Sequence, residues 1–585
     1  MGNAYKRIPV DILPGTHSAD FADSTSLSSA RCLETDKVYF KRIDGQTYIY
    51  PIYGWDEVVG EGGVTQDVLD FDPITDILGT PRSISWHKVG GAYWAIIGTS
   101  RKLYAMEANE GTAAACYDIT PLQTSSDNIN SKLNTTSGSS LLTISFTDHG
   151  LQVNDYVDID SASTIGGLDA ADINKMHAVS TVPNANSFTV DIGYNATSTV
   201  SNGGGSATMY RQVIQGSELE YPRIWSYDNF GDVLVLTPGD GNAIYEWDGQ
   251  TDTLPTAVTN APTANWVFVS NNAVVALGAG GVENKIQACS IGDRTQWTAG
   301  PASTAWSDTV EGAARLISRW PVRGTNLIFS RYEVLRLQYT GQATGLWDYE
   351  WLTDAEGIRG AKAVTSLDDI AYWTGRTGRR YSFDGSSVRP LPNDTLYVHA
   401  QWVDDLGTYA RPVPELRQVW FCGFSGDAYF IYDVDEQHHT RGTWDMSAAE
   451  NPARGLCEDG QLITASNKIW RHDRREGANF VASFQTSYRS LNEGNARAEL
   501  RELMIDTERE SIGGTWSLSV HYSDFMTAAS GTSPTTYSPL SDGRFMLDNT
   551  CRYWSYAISV DMTSGGTADW VIGKIVESIQ QGPPV

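Results

Sequence analysis

The stretch Asp232-Val233-Leu234-Val235-Leu236-Thr237-Pro238-Gly239-Asp240-Gly241-Asn242-Ala243-Ile244-Tyr245-Glu246-Trp247-Asp248-Gly249 carries the plan of the chain. An apolar run of strand length stops at a Pro-Gly-Asp-Gly turn, and a second strand bearing two aromatics stops at another Gly. Apolar or alternating runs of this length, punctuated by Gly, Pro, Asn and Asp, signal antiparallel strands joined by tight turns. The same plan recurs on both sides. Residues 86–108 run strand, Gly90-Gly91 turn, strand, then Lys102-Leu103-Tyr104-Ala105-Met106, and residues 266–297, 315–341, 360–391, 410–444 and 454–472 can be laid out likewise. A shared ending is a strand with an aromatic, as in Arg380-Tyr381-Ser382-Phe383, Phe430-Ile431-Tyr432-Asp433 and Lys468-Ile469-Trp470-Arg471. Repeats at spacings of about 30 to 50 residues suit propeller blades, since a lone blade cannot bury both faces of its sheet. Six or seven blades are expected.

The flanks read differently. Residues 124–140 are rich in Ser, Thr and Asn, and residues 195–208 add Gly203-Gly204-Gly205, so both look like solvated linkers. Between them lie alternating strands at 141–146, 156–159 and 187–192, a small β module expected to be separable from the rest. After Arg475 the strands lengthen, at 484–488, 502–506, 517–522 and 554–560, in the manner of a sandwich. Residues 495–503 have the composition of a helix but run into Met504-Ile505-Asp506-Thr507, and read as strand. The expected organisation is all-β: a β-propeller-like body, an inserted small β domain and a C-terminal β-sandwich-like domain. Its boundaries are N-terminal strands at 1–80, the first part of the propeller at 81–136, the insertion at 137–212, the rest of the propeller at 213–475 and the sandwich at 476–585. The N-terminal strands, such as Val38-Tyr39-Phe40-Lys41 and Thr47-Tyr48-Ile49-Tyr50, either join the C-terminal domain as a platform or close the propeller.

With 41% hydrophobic and 19% charged residues the chain can form a packed core. Its net charge of −28 repels nucleic acid phosphates and argues against a DNA-binding protein, although repulsion would help a conduit along which DNA slides. The six cysteines are far apart and form no CxxC pair, which favours reduced, buried thiols over disulfides or a zinc site. The first residues lack the apolar core of a signal peptide, and no apolar run approaches the roughly 18 residues of a membrane helix. Synthesis in the cytoplasm without a membrane anchor is the expectation.

Catalytic patterns are weak. Gly423-Phe424-Ser425-Gly426-Asp427 lacks the last glycine of a nucleophile elbow. The run Gly278-Ala279-Gly280-Gly281-Val282-Glu283-Asn284-Lys285 lacks the Lys-Ser/Thr end of a phosphate-binding loop and reads as a turn. His438-His439 would point to opposite faces of a strand and reads as polar turn or interface residues, not as metal ligands. Asp155, Asp158 and Asp160 lack the glycine and terminal Glu of a calcium hand and read as a solvated strand edge. Trp86, Trp225, Trp320, Trp347 and Trp373 are candidates to stack sugars, but tryptophan on a blade more often packs in the core. The basic stretches 376–380 and 471–475 read as solvated or subunit-contact turns. No catalytic, cofactor or metal-binding residue is therefore assigned.

Arg7-Ile8-Pro9-Val10, Arg31-Cys32-Leu33, the block Ile291-Gly292-Asp293-Arg294-Thr295-Gln296-Trp297, Ser307-Asp308-Thr309, Leu327-Ile328-Phe329-Ser330 and Ile370-Ala371-Tyr372-Trp373-Thr374-Gly375 together resemble the packaged-DNA stabilisation and tail-nozzle proteins of short-tailed bacteriophages. The insertion, with Thr147-Asp148-His149-Gly150-Leu151 and Asn186-Ser187-Phe188-Thr189-Val190, is similar to a small β module of phage virion proteins. The resemblance implies a structural tail protein of the virion, without enzymatic activity or cofactor. It implies a homo-hexamer below the portal and adaptor ring, a lumen that passes genomic DNA without specific binding, and docking of tail fibres or spikes. The rival reading is a phage tail-associated β-propeller enzyme or lectin acting on host-surface glycan.

Overall fold

The computed structural model describes residues 6–16, 29–52, 56–57, 79, 81–107, 116–213, 223–342, 346–352, 356–392, 408–422, 428–443, 452–456, 461–464, 469–471, 481–491, 496–507, 515–524, 534–561 and 571–584. Seven four-stranded antiparallel sheets form the body, and each recurrent stretch of the sequence falls within its own sheet. Blade one runs Pro81–Val89, Ala92–Thr99, Leu103–Glu107, Cys116–Asp118, and blades two to six begin at Ser226–Phe230, Trp266–Ser270, Leu316–Val322, Val364–Leu367 and Tyr409–Val413. Blade seven takes Pro452–Leu456, Gln461–Thr464 and Ile469–Arg471 from late in the chain, and its outer strand, Asp56–Glu57, from the beginning. The first strand of each blade lies against the first strand of the next, and that of blade seven returns to that of blade one. The chain is a closed seven-bladed propeller.

Hydrophobic faces between blades hold the ring. Trp94 of blade one meets Trp247 of blade two edge to face at 5.2 Å, and Phe329 of blade four meets Trp373 of blade five at 5.7 Å. Such aromatic pairs contribute about 0.5–1.5 kcal/mol beyond the area they bury. Near the axis the joints turn polar. Ser226 Oγ and Asp228 Oδ2 of blade two accept the N–H groups of Val267 and Val269 on the unpaired edge of blade three, at 2.8 and 2.9 Å. An edge strand with open donors is thereby satisfied from the neighbouring blade. Gly90, at φ +60°, has a steric reason to be glycine: a Cβ there would stand 2.5 Å from the carbonyl oxygen of Asp248 in the turn of blade two.

The N-terminal strands do both things the sequence left open. Asp56–Glu57 closes the propeller, while Lys6–Thr16, Ser29–Asp36, Val38–Ile43 and Gln46–Pro51 join eight C-terminal strands in one twelve-stranded sandwich. Lys6–Val10 pairs antiparallel with Ile575–Ile579, and the second half of the same strand pairs parallel with Ser29–Cys32, so one strand belongs to both sheets. Residues 496–507 are strand, as expected. The sandwich core includes Val10, Phe40, Phe484, Leu500, Trp554 and Ile575. A buried Glu577 crosses it, 2.7 Å from Arg489 and accepting from Tyr556 at 3.0 Å and from Trp554 at 3.3 Å. The sandwich rests on blade six, where Thr35 Oγ1 accepts the Arg441 N–H at 2.9 Å and Thr443 donates to Asp36 at 3.0 Å.

The linkers flanking the insertion prove to be structure. Its eight-stranded sheet includes Asp127–Asn128, Leu133–Thr135 and Val200–Gly203, all within the Ser/Thr/Asn-rich segments, and Thr208–Arg211, which starts at the end of the second. The apolar residues spaced along them supply the reason: Ile129, Leu133, Ala196, Ala207 and Met209 are buried in the module's core beside Leu142, Val157 and Phe188. The chain leaves and re-enters the propeller side by side, with the Val213 N–H on the Pro121 carbonyl at 2.9 Å. Asp155 is another correction. It is fully buried at the root of the module, 2.9 Å from Lys102 and ion-paired with Arg101, both of blade one's second turn. Lys102 also meets Asp118 at 2.7 Å and Gln212 at 2.6 Å. Burial pulls the Lys102 ammonium down, yet the two carboxylates outweigh it and leave the group above its ordinary range. Residues 122–212 expressed alone are therefore expected to melt cooperatively, while 137–212, which lacks Ile129 and Leu133, is not; circular dichroism on both fragments checks this.

A basic channel on the propeller axis

A cavity of about 340 Å³ lies where the first strands of the blades converge. Among the described residues its walls come from six blades, and four cations line it, Arg82, Arg319, Lys362 and Arg411, against one carboxylate, Asp228. This is the reverse of the chain's net charge of −28.

Three of the four cations are positioned by packing on aromatic rings. Arg319 lies 4.6 Å over the Phe268 ring, donates from Nε to Asn326 Oδ1 at 2.7 Å, and keeps one Nη 3.6 Å from Asp228. Burial draws its guanidinium down to about 10, with Asp228 opposing. Arg411 stacks 4.9 Å over Trp420. Lys362, on the approach to blade five's first strand, sets its ammonium 5.3 Å from the Tyr227 ring and 5.2 Å from the Trp266 ring. Cation–π attraction of this kind supplies about 0.5–2 kcal/mol but uses none of the three N–H donors. Among the described residues no side chain or carbonyl accepts from that ammonium. It lines the channel half-buried, and burial brings its pKa down to about 8 despite Asp228. The wall beside these cations is mixed. Trp266, Phe268 and Trp320 supply ring faces, and Ser83, Ser85, Thr365 and Ser366 supply hydroxyls. On the blade-one side Tyr227 donates to Ser83 at 3.0 Å, and His87 contacts Asn229 at 2.6 Å and Ser85 at 3.1 Å.

The residues singled out in the sequence fall elsewhere, with one exception, Trp320, which lines the channel. Trp225, Trp347 and Trp373 are core, and Trp86 is partly exposed. Residues 278–285 form the hairpin between Ala273–Leu277 and Lys285–Ala288 of blade three, a turn as read. His438 and His439 are not in a turn. They lie buried in blade six's outer strand, His438 edge-on to Phe40 of the sandwich at 5.7 Å and His439 by Tyr432 at 4.9 Å. Arg376 and Arg379 are exposed in a turn, whereas Arg380 is fully buried 4.5 Å from the Phe430 ring and joins blade five to blade six. Asp158 and Asp160 lie on the strand Tyr156–Asp160, half-buried and exposed. Residues 423–427 and 472–475 lie outside the described residues. Among the described residues no group of three His, Cys, Asp or Glu could hold a metal ion, and no helix is long and apolar enough to cross a membrane. Cys32, Cys289, Cys422 and Cys551 are buried thiols, as expected. Sequence reading missed the channel cations. The available signal was a lone Arg or Lys at the start of several repeats, which becomes visible only when the blades are aligned on their first strands.

No family model matches the chain, and no curated protein matches it. Similar folds occur among solved structures. Phage phi92 endosialidase is 11% identical over 96% of this chain and 70% of its own, with a TM-score of 0.18. A structure of YCF48 bound to D1 peptide is 10% identical over 58% of this chain and 97% of its own, at 0.29. Virginiamycin B lyase from Staphylococcus aureus is 12% identical over 42% and 94%, at 0.23. The chain is an all-β propeller protein. Likenesses this slight carry nothing about activity.

The cost of the uncompensated Lys362 charge has a definite sign. Its folded pKa lies below the value of about 10.4 for an unfolded lysine, so the folded state is penalised in full below pH 8 and not at all above pH 10.5. Tyr227, Asp228, Trp266 and Tyr409 lie next to it, and Arg319, Arg411, Arg82 and His87 line the same channel from the neighbouring blades. Lys362→Met is expected to be more stable than the parent by roughly 1–3 kcal/mol at pH 7, the gap closing towards pH 10.5. Urea denaturation at the two pH values measures it.

Proposed function

We propose that this protein is a structural part of a bacteriophage virion, a tail nozzle or hub that prolongs the DNA channel below the portal and adaptor ring. In this reading six copies form a ring, retain packaged DNA, dock tail fibres or spikes, and pass the genome without specific binding. The observation that carries the proposal is the way in which the chain fastens itself. Both ends are woven into one sandwich, a residue pair from the N-terminal region closes the propeller, and an ion-paired root anchors the insertion. Described parts tied to one another at several points suit a conduit that must hold its shape under internal pressure. The motif resemblance at 7–10, 291–297 and 370–375 points the same way. Rings close through head-to-tail contacts, and weak ones can need a template. Cryo-electron microscopy of assembled tails is expected to show six copies per ring; another number would refute the nozzle assignment.

One observation favours the rival, a tail-associated lectin or enzyme acting on host glycan: the axial channel combines cations, hydroxyls and aromatic faces. Glycoside cleavage requires two carboxylates about 5–9.5 Å apart at one site, and among the described residues the channel wall has one, Asp228. Incubation with host lipopolysaccharide, capsule and peptidoglycan, followed by mass analysis, is expected to show no cleavage products. Turnover abolished by replacing one acidic pair would establish the enzyme reading instead.

A further inference from the structure

We propose that the axial channel binds a monosaccharide-sized molecule bearing an oxyanion, a sugar carboxylate or a sugar phosphate. The inference does not depend on the nozzle assignment, since it rests on the channel alone. Lys362 is held between the Tyr227 and Trp266 rings and presents three donors for which no described residue provides an acceptor. Arg319 has committed Nε to Asn326 Oδ1, but its Nη groups make only a long contact of 3.4 Å to the Val269 carbonyl and one of 3.6 Å to Asp228. Lys362 and Arg319, close together on the channel wall with only Asp228 near them among the described carboxylates, are a standing cost to the fold. An oxyanion would remove that cost by accepting charge-assisted hydrogen bonds from Lys362 and Arg319.

Size and lining narrow the class. A cavity of about 340 Å³ lies within the range of small-molecule pockets and is much larger than an isolated phosphate or carboxylate needs. The half-buried Trp320 ring suits the C–H side of a sugar ring, and Ser83, Ser85, Thr365 and Ser366 suit its hydroxyls. A purely apolar anion would leave these hydroxyls without ligand partners, and a duplex is too wide for the site.

The test is calorimetric titration of the full chain with glucuronate, glucose 6-phosphate, glucose and inorganic phosphate at pH 6.5. Binding of glucuronate or of glucose 6-phosphate, with glucose at least tenfold weaker, is expected, and which of the two binds identifies the anion. The Lys362→Met protein should lose at least tenfold in affinity while melting no lower than the parent, so that lost binding cannot be attributed to misfolding. Arg389→Gln, at an exposed cation of blade five, should bind as the parent does. Inorganic phosphate binding as tightly as either sugar anion, no binding by any anion, or unchanged affinity in Lys362→Met would each overturn the proposal.

Discussion

A four-stranded antiparallel sheet built from alternating and apolar strands has two faces to hide from water, and it cannot hide both by itself. Every larger feature of this protein follows from how that constraint is met. Seven such sheets cover one another in a ring, and a ring has no terminal face only if its last member touches its first. The contact of Pro452–Leu456 with Pro81–Val89 achieves this, and Asp56–Glu57 completes the outer edge of the last sheet. The aromatic and Arg380 contacts between neighbouring blades are then interior surfaces instead of exposed ones.

The same ring creates the electrostatic contrast between surface and axis. Side chains near the axis have little room, and charges there are separated from solvent by the blades, so their interactions are less screened than those outside. The chain's acidic excess therefore says nothing about its axis. The sum over the sequence is −28, while the channel wall is basic. Two buried ionic clusters illustrate the alternative solution to the same problem. Around Lys102 and around Glu577 each buried charge has its counter-charge in place, and the clusters tie module to blade and sheet to sheet. Lys362 has aromatic rings where those groups have carboxylates.

What the sequence revealed was local. Each blade is a meander of hairpins, so the alternation and the turn glycines around 232–249 contain what is needed to recognise it. The sandwich was only half legible because its N-terminal strands pair across almost the whole chain, as Ile8 does with Glu577, and a period-2 pattern does not name its partner. The Ser/Thr/Asn-rich segments were misread because composition hid the spaced apolar residues Ile129, Leu133, Ala207 and Met209 that the module buries. Asp155 reads as a solvated edge in the sequence because its partners, Arg101 and Lys102, lie outside its own module. The channel was illegible for a related reason. Its cations are single residues in separate blades, and nothing but ring closure brings them together.

The weaving of the two chain ends also sets an order of events during synthesis. Strands within 6–57 emerge first and pair partly with one another, yet their remaining partners in blade seven and the sandwich lie beyond residue 460. During translation of the intervening chain those early strands have open edges, the state in which β-segments find wrong partners. Blades two to six, each complete within one local stretch, can form meanwhile. Ring closure and sandwich assembly then become the last, long-range steps, and the yield of folded protein depends on how well the first strands are kept apart until the final hundred or so residues arrive.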